Sequence, residues 1–289
     1  MKNGGSHSRT ERKTDTNNAM KVVLLGSEGM LGVDMHEVLR EFGHEVLAYT
    51  RDTLNITDGV QVAMLAEQKP NVVINCAAYT NVDGAEDDCD TCMQVNAEAV
   101  ERIAQMCAEC DAVLVQISTD YVFDGEKGEY DEDDTAHPLN VYGASKAEAE
   151  TLVRATHKKH YIVRTAWLYG ENGKNFVQTV QRVCKEKGEM RIVNDQVGSP
   201  TYTKDLARAI VGLFGKPYGT YHITNTGICS WYEFAREIVA SSNTSCTLQP
   251  CTSAEYPQKA LRPKSAILRN TKVPPLRPWQ EALADYLQS

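Results

Sequence analysis

Five short apolar runs, rich in β-branched residues, recur through the first 170 residues of this 289-residue chain. The runs are "KVVLLG" (21–26), "HEVLAYT" (44–50), "NVVINCAA" (71–78), "AVLVQIS" (112–118) and "YIVRTAW" (161–167). Apolar residues at helical spacing lie between them, at 31–42, 59–68, 90–110 and 143–157. Strands that are buried on both faces and alternate with helices predict an α/β fold with a parallel, doubly wound sheet.

A glycine-rich stretch, "GSEGMLG", directly follows the first run and opens the first helical pattern. At such a junction Gly26 would let the chain turn tightly, Gly29 would let backbone amides approach a pyrophosphate, and Gly32 would let the helix pack close to the sheet. In the first βαβ unit this pattern predicts dinucleotide binding and hence a Rossmann-type domain.

The end of the second run indicates which dinucleotide is bound. The run ends in "AYTRD", with Arg51 near the point where a ribose-binding carboxylate would be expected. A cation at this position favours the 2′-phosphate of NADPH over the free hydroxyl of NADH. The preference is modest, because many enzymes of this kind accept both dinucleotides.

The second half of the chain has a looser pattern. Helices are expected at "NFVQTVQRVCKEKG", "TKDLARAIVGLFG", "SWYEFAREIVASS" and 278–288, and strands at "MRIVND" and "GTYHITN". We expect a dinucleotide-binding domain at 20–170, with parts of 201–226 woven into it, and a smaller C-terminal α/β substrate-binding lobe at 171–289. The polar residues 1–19 lack an apolar h-region and indicate a disordered tail.

Composition limits the partners and the compartment. No apolar run approaches the roughly 18 residues that span a bilayer, so we expect no membrane partner and a cytoplasmic protein. A net charge of −9 disfavours nucleic acid as a partner. Charge is uneven, however. The acidic stretch 124–134 most simply indicates a solvated loop, with a cation site as the alternative, and the basic stretch 256–280 suits either a small polyanion such as pyrophosphate or a solvated segment.

The chain has nine cysteines, which a cytoplasmic protein would keep as thiols rather than disulfides. Two CxxC pairs, Cys89/Cys92 and Cys107/Cys110, suggest a zinc site. The helical pattern between them would hold Cys92 and Cys107 about 22 Å apart, too far for one ion. We therefore expect structural thiols and no metal site.

The stretch "NVYGASKAEAE" (140–150) holds Tyr142 and, one helical turn later, Lys146. Chance would supply roughly 0.7 Tyr-x-x-x-Lys pairs in such a chain, so an exposed helix is the plain alternative. Beside a nicotinamide the pair has a task, because hydride transfer to a ketone leaves an alkoxide that needs a proton. A lysine ammonium would stabilise the phenolate and lower its pKa from about 10. Ser118 and Thr119, which end the fourth run, offer a hydroxyl to the substrate oxygen.

Taken together, these motifs resemble the extended short-chain dehydrogenase/reductases, and among them the dTDP-4-dehydrorhamnose reductases, over nearly all of 20–289. The motifs are "GSEGMLG", "NCAAYTNVDGAE", "VNA", "STDYVFDG", "PLNVYGASK", "RTAWLYG", "NDQVGSPTYTKDLA" and "LRPKSAILRN". The resemblance implies NADPH-dependent reduction of the 4-keto group of dTDP-4-dehydro-L-rhamnose, the last step of dTDP-L-rhamnose synthesis for cell-surface polysaccharide. It implies a dTDP-sugar as partner and is compatible with a homodimer. It leaves open whether a divalent cation is required and whether Met1 or Met20 is the true start.

The resemblance also implies roles for matching positions. The catalytic set would be Thr119, Tyr142 and Lys146. Cofactor contacts would come from Gly26, Gly29, Met30, Leu31 and Gly32 at the pyrophosphate, from Asn55 and Ile56 at the adenine, from Ala77, Ala78 and Tyr79 along the middle, and from Ile117, Tyr142 and Lys146 at the nicotinamide side. The sugar nucleotide would meet Thr119, Asp120, Tyr121, Trp167, Gln196 and Arg262. Many members carry Gln where this chain has Met30, a change that backbone contacts of the loop should tolerate.

Other activities on the same fold are separated by few residues. Related dehydratases carry Glu directly after the Thr-Asp pair, where this chain has Tyr121, so elimination is not expected. An epimerase would use the same three catalytic residues, and those residues alone leave it open. The chain also resembles the non-catalytic, NADP-binding regulatory subunit of methionine adenosyltransferase. Asp195, Gln196 and Trp167 favour the reductase over that subunit.

Overall fold

The computed structural model describes residues 19–242 and 245–289, so the tail predicted at 1–19 lies outside the described residues except for Ala19. Strands and helices alternate through the first half, as predicted. Their bounds are β1 (Lys21–Leu25), α1 (Met30–Glu41), β2 (Glu45–Tyr49), α2 (Gly59–Met64), β3 (Val72–Asn75), α3 (Val82–Ala85), α4 (Cys89–Met93), α5 (Ala99–Glu109), β4 (Val113–Thr119), β5 (Gly128–Tyr130), α6 (Val141–Thr156) and β6 (His160–Thr165).

The second half contains the predicted helices among several two-residue strands. The bounds are β7 (Leu168–Tyr169), α7 (Phe176–Lys187), β8 (Glu189–Val193), β9 (Val197–Gly198), β10 (Thr201–Tyr202), α8 (Thr203–Val211), β11 (Gly219–His222), β12 (Cys229–Ser230), α9 (Trp231–Ser241), β13 (Thr247–Cys251), β14 (Ala266–Leu268) and α10 (Trp279–Tyr286).

Six strands form one parallel sheet in the order β11-β6-β4-β3-β1-β2. The chain moves outward from β1 to β2 on one side and then through β3, β4 and β6 on the other. The reversal lies between β1 and β3, and ligands of doubly wound sheets bind at the carboxyl ends of the strands at this point. The predicted doubly wound sheet is confirmed, with β11 from the second half as an edge strand.

Both faces of the sheet are covered. On one face α1 and α8 pack on a core that includes Val22, Leu24 and Ile74. On the other face α5 and α6 pack on Val23, Val73 and neighbouring residues. Burial on both faces explains why the strands read as continuous apolar runs rather than as alternating patterns. A further apolar core, which contains Val180, Phe234 and other residues of the second half, lies outside the sheet.

The helical pattern predicted at 90–110 is not one regular α-helix. A π-helical turn, Gln94–Glu98, separates α4 from α5. Such turns insert one extra residue and re-aim the side chains within them. Here the turn contains Asn96, whose side chain contacts two segments of the candidate site. Periodicity alone did not predict this irregularity.

Part of the acidic stretch pairs with part of the basic stretch, so the prediction that the acidic stretch is simply a solvated loop is wrong for this part. Binding of a small polyanion by the basic stretch stays a prediction. Within the acidic stretch, β5 forms a parallel ladder with β14 of the basic stretch. Opposite charges meet beside this ladder, because the chain folds back and brings together positions such as 128 and 265, which are 137 apart in sequence. The ion pairs that join the basic stretch to the acidic stretch are Arg269–Glu129, Arg269–Asp131 and Lys272–Asp133. The other ion pairs of the basic stretch lead elsewhere and are Lys259–Asp87, Arg262–Asp83, Arg277–Asp205 and Arg277–Asp285.

The expectation that every cysteine is a thiol is wrong for one pair. Cys184 of α7 and Cys246, just before β13, form a disulfide. The four cysteines of the two CxxC motifs are free. Cys184 and Cys246 are 62 residues apart in sequence, so local spacing did not predict their pairing. They come together because β13 pairs with β8, the strand that directly follows α7. In the part of the chain described, no helix is long and apolar enough to cross a membrane.

Candidate active site

The glycine loop joins β1 to α1 beside the extension of β3. Gly26 has φ +73°, a left-handed conformation that favours glycine, and its amide donates to the Tyr49 carbonyl at 3.0 Å. A Cβ on Gly26 would lie 2.7 Å from the Ala77 amide nitrogen. Gly26 therefore permits both the turn and the close approach of β1 to the segment that follows β3.

The amino end of α1 is suited to an anion. Gly29 is the N-cap and provides no side-chain cap, and the first turn contains no acidic residue. The free N–H groups at Met30 and Leu31 are available to a phosphate. A Cβ on Gly32 would lie 2.1 Å from the Gly26 carbonyl oxygen. Gly32 thus packs on the loop itself rather than on the sheet, which corrects the predicted reason for this glycine.

The remaining positions predicted for the adenine and 2′-phosphate differ in exposure. Arg51 is exposed in the turn after β2. Asn55 directs its side-chain oxygen to the amide of Thr57, at 3.1 Å, and so shapes the local turn. Ile56 is buried and packs in the apolar core on the α5 face of the sheet. Arg51 and Asn55 are both exposed, and Arg51 is the one of the three that carries a charge.

Asn96 fixes the segment after β3. Its side-chain oxygen accepts from the Tyr79 amide at 2.8 Å, and its amide group donates to the Tyr79 carbonyl at 3.0 Å. The same amide group donates to the Ser145 hydroxyl at 3.0 Å. Asn96 therefore links the predicted cofactor segment, which includes Ala78, to the helix that carries Tyr142. No role for Asn96 was predicted from the sequence, although the residue lies within the "VNA" motif.

Local sequence explains how α6 presents Tyr142. Asn140 is the N-cap, and its side-chain oxygen accepts from the Gly143 amide at 2.7 Å. This cap places Tyr142 in the first turn. A Cβ on Gly143 would lie 2.2 Å from the Tyr121 carbonyl oxygen, so only glycine allows α6 to approach the chain after β4 this closely.

The Thr119 side chain lies near the phenol of Tyr142, close enough to influence the pKa of that phenol. Thr119 is the last residue of β4, and its hydroxyl donates to Asp120 Oδ1 at 2.9 Å. The ring of Tyr121 stands edge-on to Tyr142, with centroids 5.7 Å apart. The two hydroxyl groups that sequence reasoning assigned to one substrate oxygen thus lie together, at the carboxyl edge of the sheet.

The pKa of Tyr142 is shifted in the direction opposite to the predicted one. Burial raises the pKa of Tyr142 above its ordinary value, and the Asp120 carboxylate raises it further, so the net shift is opposite to the lowering predicted from the nearby lysine. Burial also raises the pKa of Asp120 from 3.8 to about 7. The phenol is consequently held in its protonated form, the form that can give a proton to an alkoxide.

Lys146 lies one helical turn after Tyr142 on α6 and is 3% exposed. Its ammonium group donates to the Ile117 carbonyl at 2.6 Å. Burial lowers the pKa of Lys146 from 10.5 to about 8, although nearby Glu150 opposes that shift. This hydrogen bond holds the ammonium group of Lys146 beside Ile117, near the carboxyl end of β4. A nicotinamide ribose would be expected at this edge of the sheet.

A network of buried charged and polar side chains lies next to the Thr119–Tyr142 cluster. Ser118 donates to Glu150 Oε1 at 2.6 Å, and the Arg164 guanidinium binds both oxygens of Glu150. Arg164 also donates to His222 Nε2 at 3.2 Å. Burial lowers the pKa of His222 to about 4, so its ring is neutral and its Nδ1–H donates to the Arg269 carbonyl. Sequence analysis missed this network, which ties β4, α6, β6 and β11 together.

The positions predicted to contact the sugar nucleotide lie in different surroundings. Trp167 follows β6 and stacks on Trp231 of α9. Gln196 is buried, and its amide donates to the Ser253 hydroxyl at 3.0 Å. Arg262 donates to Asp83 at 2.6 Å, and its charge lies close enough to Tyr121 to oppose the rise that burial causes in the pKa of that phenol. Arg262 is therefore brought next to the Thr119–Tyr142 cluster through Tyr121.

No three His, Cys, Asp or Glu side chains among residues 19–242 and 245–289 are grouped as a metal site.

The fold and the cluster define a class of protein, the Rossmann-type dinucleotide-binding α/β proteins with Thr, Tyr and Lys at the carboxyl edge of the sheet. Comparison with family models matches residues 20–289 to the RmlD substrate binding domain. The chain belongs to this family, which confirms the resemblance drawn from its motifs.

Individual relatives cover nearly the whole chain. It is 42% identical to the spore coat polysaccharide biosynthesis protein SpsK of Bacillus subtilis strain 168, with 93% of this chain and 97% of that protein covered. It is 38% identical to the dTDP-4-dehydrorhamnose reductase of Aggregatibacter actinomycetemcomitans, with 91% and 97% covered. The crystal structure of dTDP-4-dehydrorhamnose reductase from Bacillus anthracis strain Ames in complex with NADP is similar at a TM-score of 0.91 and 38% identity, covering 94% of this chain and 99% of that one.

Proposed function

We propose that the protein is an NADPH-dependent reductase that converts the 4-keto group of dTDP-4-dehydro-L-rhamnose to the alcohol. The observation that carries the proposal is the nearness of the buried Tyr142 phenol to the Thr119 side chain, which ends β4 at the carboxyl edge of the sheet. The substrate is supported by the relatives named dTDP-4-dehydrorhamnose reductase, which match the chain over almost its full length.

The residues present fit the cofactor. The uncapped amino end of α1 and the loop at Gly26 suit a pyrophosphate, and Arg51 suits a 2′-phosphate. Asn55, Ile56, Ala77, Ala78 and Tyr79 would complete the nucleotide side. NADPH, when bound, supplies the hydride.

Three side chains would carry the chemistry. The protonated phenol of Tyr142 would give its proton to the developing alkoxide, because burial keeps that proton in place until the negative charge forms. Thr119 would hold the carbonyl oxygen by a hydrogen bond. Lys146 would hold the nicotinamide ribose and, as a cation, stabilise the phenolate left behind.

The sugar nucleotide would lie between the sheet edge and residues 171–289, which we propose as the substrate lobe. Asp120, Tyr121, Trp167, Gln196 and Arg262 would contact it. Tyr121 has no carboxylate, so the Glu that follows the Thr-Asp pair in related dehydratases has no equivalent after Asp120. This arrangement favours reduction over elimination.

The test follows NADPH oxidation at 340 nm with dTDP-4-dehydro-L-rhamnose, with EDTA and separately with Mg²⁺, and identifies products by mass spectrometry. Formation of dTDP-L-rhamnose, two mass units heavier than its substrate, supports the proposal. Conversion between sugars without net NADPH oxidation would indicate an epimerase. Tight NADPH binding without turnover of any 4-keto nucleotide sugar would indicate a non-catalytic regulatory protein.

A further inference from the structure

Trp167 has an unusual backbone conformation. Its φ is +48°, in the left-handed region that bulky residues rarely adopt. Such a conformation carries an energetic cost and persists where surrounding contacts impose it. Trp167 lies two residues after Thr165, which pairs in register with Thr119. The strained residue is therefore adjacent to the proposed reacting edge.

The indole of Trp167 is held by two contacts from the second half of the chain. The indole of Trp231 stacks on it, with ring centroids 3.5 Å apart and planes 8° from parallel. Gly198 provides the second contact, because a Cβ there would lie 2.6 Å from Cε2 of Trp167. A larger residue at 198 would displace the ring.

Gly198 and Trp231 lie on neighbouring elements, β9 and α9, which are connected through the strand β12. β9 and β12 form an antiparallel pair, in which Gly198 lies opposite Cys229. Ser230 then starts α9 with a capping box, since its hydroxyl accepts from the Glu233 amide and its own amide donates to Glu233 Oε2. Trp231 is the next residue, and the Phe176 ring packs on it at 4.6 Å. The orientation of Trp231 is thus fixed independently of Trp167.

We infer that Trp231 is a positioning residue for the sugar. It holds the indole of Trp167 against the hexose ring of the nucleotide sugar and sets the affinity for that substrate. A 6-deoxyhexose presents C–H bonds and a methyl group, and these pack favourably on an aromatic face that is already fixed in place. This inference rests on the proposed function. It adds that selectivity for the sugar depends on a residue of α9 that need not touch the reacting atoms.

The test compares Trp231→Ala and Trp231→Phe with the control Trp279→Phe in the full-length protein. Trp279 is buried in the same apolar core but packs on Phe234 rather than on Trp167. Trp231→Ala should raise KM for the keto sugar, and the calorimetric Kd of dTDP-L-rhamnose, by about threefold to tenfold. The Kd of NADPH should change less than twofold. Trp231→Phe should recover most of the loss, and Trp279→Phe should leave sugar affinity unchanged.

A second variant tests the other contact. Gly198→Ala, which crowds the Trp167 ring, should weaken the sugar and spare NADPH in the same way. Unchanged sugar affinity in Trp231→Ala would overturn the inference while leaving the proposed reductase intact. Equal losses for sugar and NADPH in both Trp231 variants would also overturn it, because they indicate general destabilisation. A wild-type protein that neither binds nor reduces dTDP-sugars would defeat the proposed function and the inference with it.

Discussion

The Glu150 carboxylate and the Arg164 guanidinium form a pair with two hydrogen bonds, of 2.9 Å and 2.6 Å, and the two side chains are 1% and 2% exposed. Burial opposes ionisation of Glu150, yet the hydrogen bonds and charge of Arg164 outweigh it and lower the pKa of Glu150 below its usual value. Glu150 lies one turn after Lys146, so this pair anchors α6 to the sheet directly behind the site.

Arg164→Met should destabilise the protein by about 3–5 kcal/mol, because it leaves the Glu150 charge buried without its main partner. Urea unfolding at pH 7 measures the change. Arg182→Met is the control, since the Arg182–Glu186 pair on α7 is exposed and should contribute less than about 1 kcal/mol. A similar small loss for both variants would contradict the buried network.

Asp120→Asn should change how stability depends on pH. The pKa of Asp120 in the folded protein is about 7, above its ordinary 3.8, so the folded state binds the proton more tightly than the unfolded state. Stability of the wild type should therefore fall as pH rises from about 4 to about 7 through this group. The stability gained by Asp120→Asn should increase by roughly 2–3 kcal/mol between pH 5 and pH 8.

Asp111→Asn is the control for that experiment. Asp111 is exposed, and its hydrogen bond and charge pairing with Lys159 lower its pKa, so removing this carboxylate should reduce stability at pH 8 rather than increase it. A gain for Asp120→Asn that does not vary with pH would mean that its carboxyl group is not held neutral by burial.

Arg51→Asp should weaken NADPH much more than NADH, because the 2′-phosphate is the difference between the two and Asp repels it. Binding of each dinucleotide is measured by titration calorimetry. Arg182→Asp makes the same charge change on α7, in the second half of the chain, and should leave the ratio of the two affinities unaltered. If Arg51→Asp also leaves that ratio unaltered, the 2′-phosphate is recognised elsewhere.

Sequence periodicity predicted the sheet because its strands are buried on both faces, and local spacing predicted the Tyr142–Lys146 pair because both lie on one helix. Contacts between distant segments could not be predicted in this way. Glu150 meets Arg164 across an intervening turn, and β5 meets β14 only after the chain folds back. No local pattern marks either event.

The electrostatics of the site could not be predicted from spacing either. Proximity of Lys146 suggested a lowered pKa for Tyr142, but burial and Asp120 dominate and raise it. Burial depends on the whole fold, including contacts such as the close approach of Gly143 to the Tyr121 carbonyl oxygen. Asn140 and Gly143 belong to the motif "PLNVYGASK", which also contains Tyr142. Their positions beside Tyr142 were the signal in the sequence for their roles as helix cap and as close contact of α6 with Tyr121.

The most direct test of the proposed mechanism is kcat of Tyr142→Phe with saturating NADPH and dTDP-4-dehydro-L-rhamnose. Loss of the phenolic proton should lower kcat on the order of 10² or more while NADPH still binds, as expected when a general acid is removed. Tyr256→Phe, which removes an exposed phenol, serves as the control and should keep wild-type turnover. A kcat for Tyr142→Phe within a few-fold of wild type would contradict the assignment of Tyr142 as the proton donor.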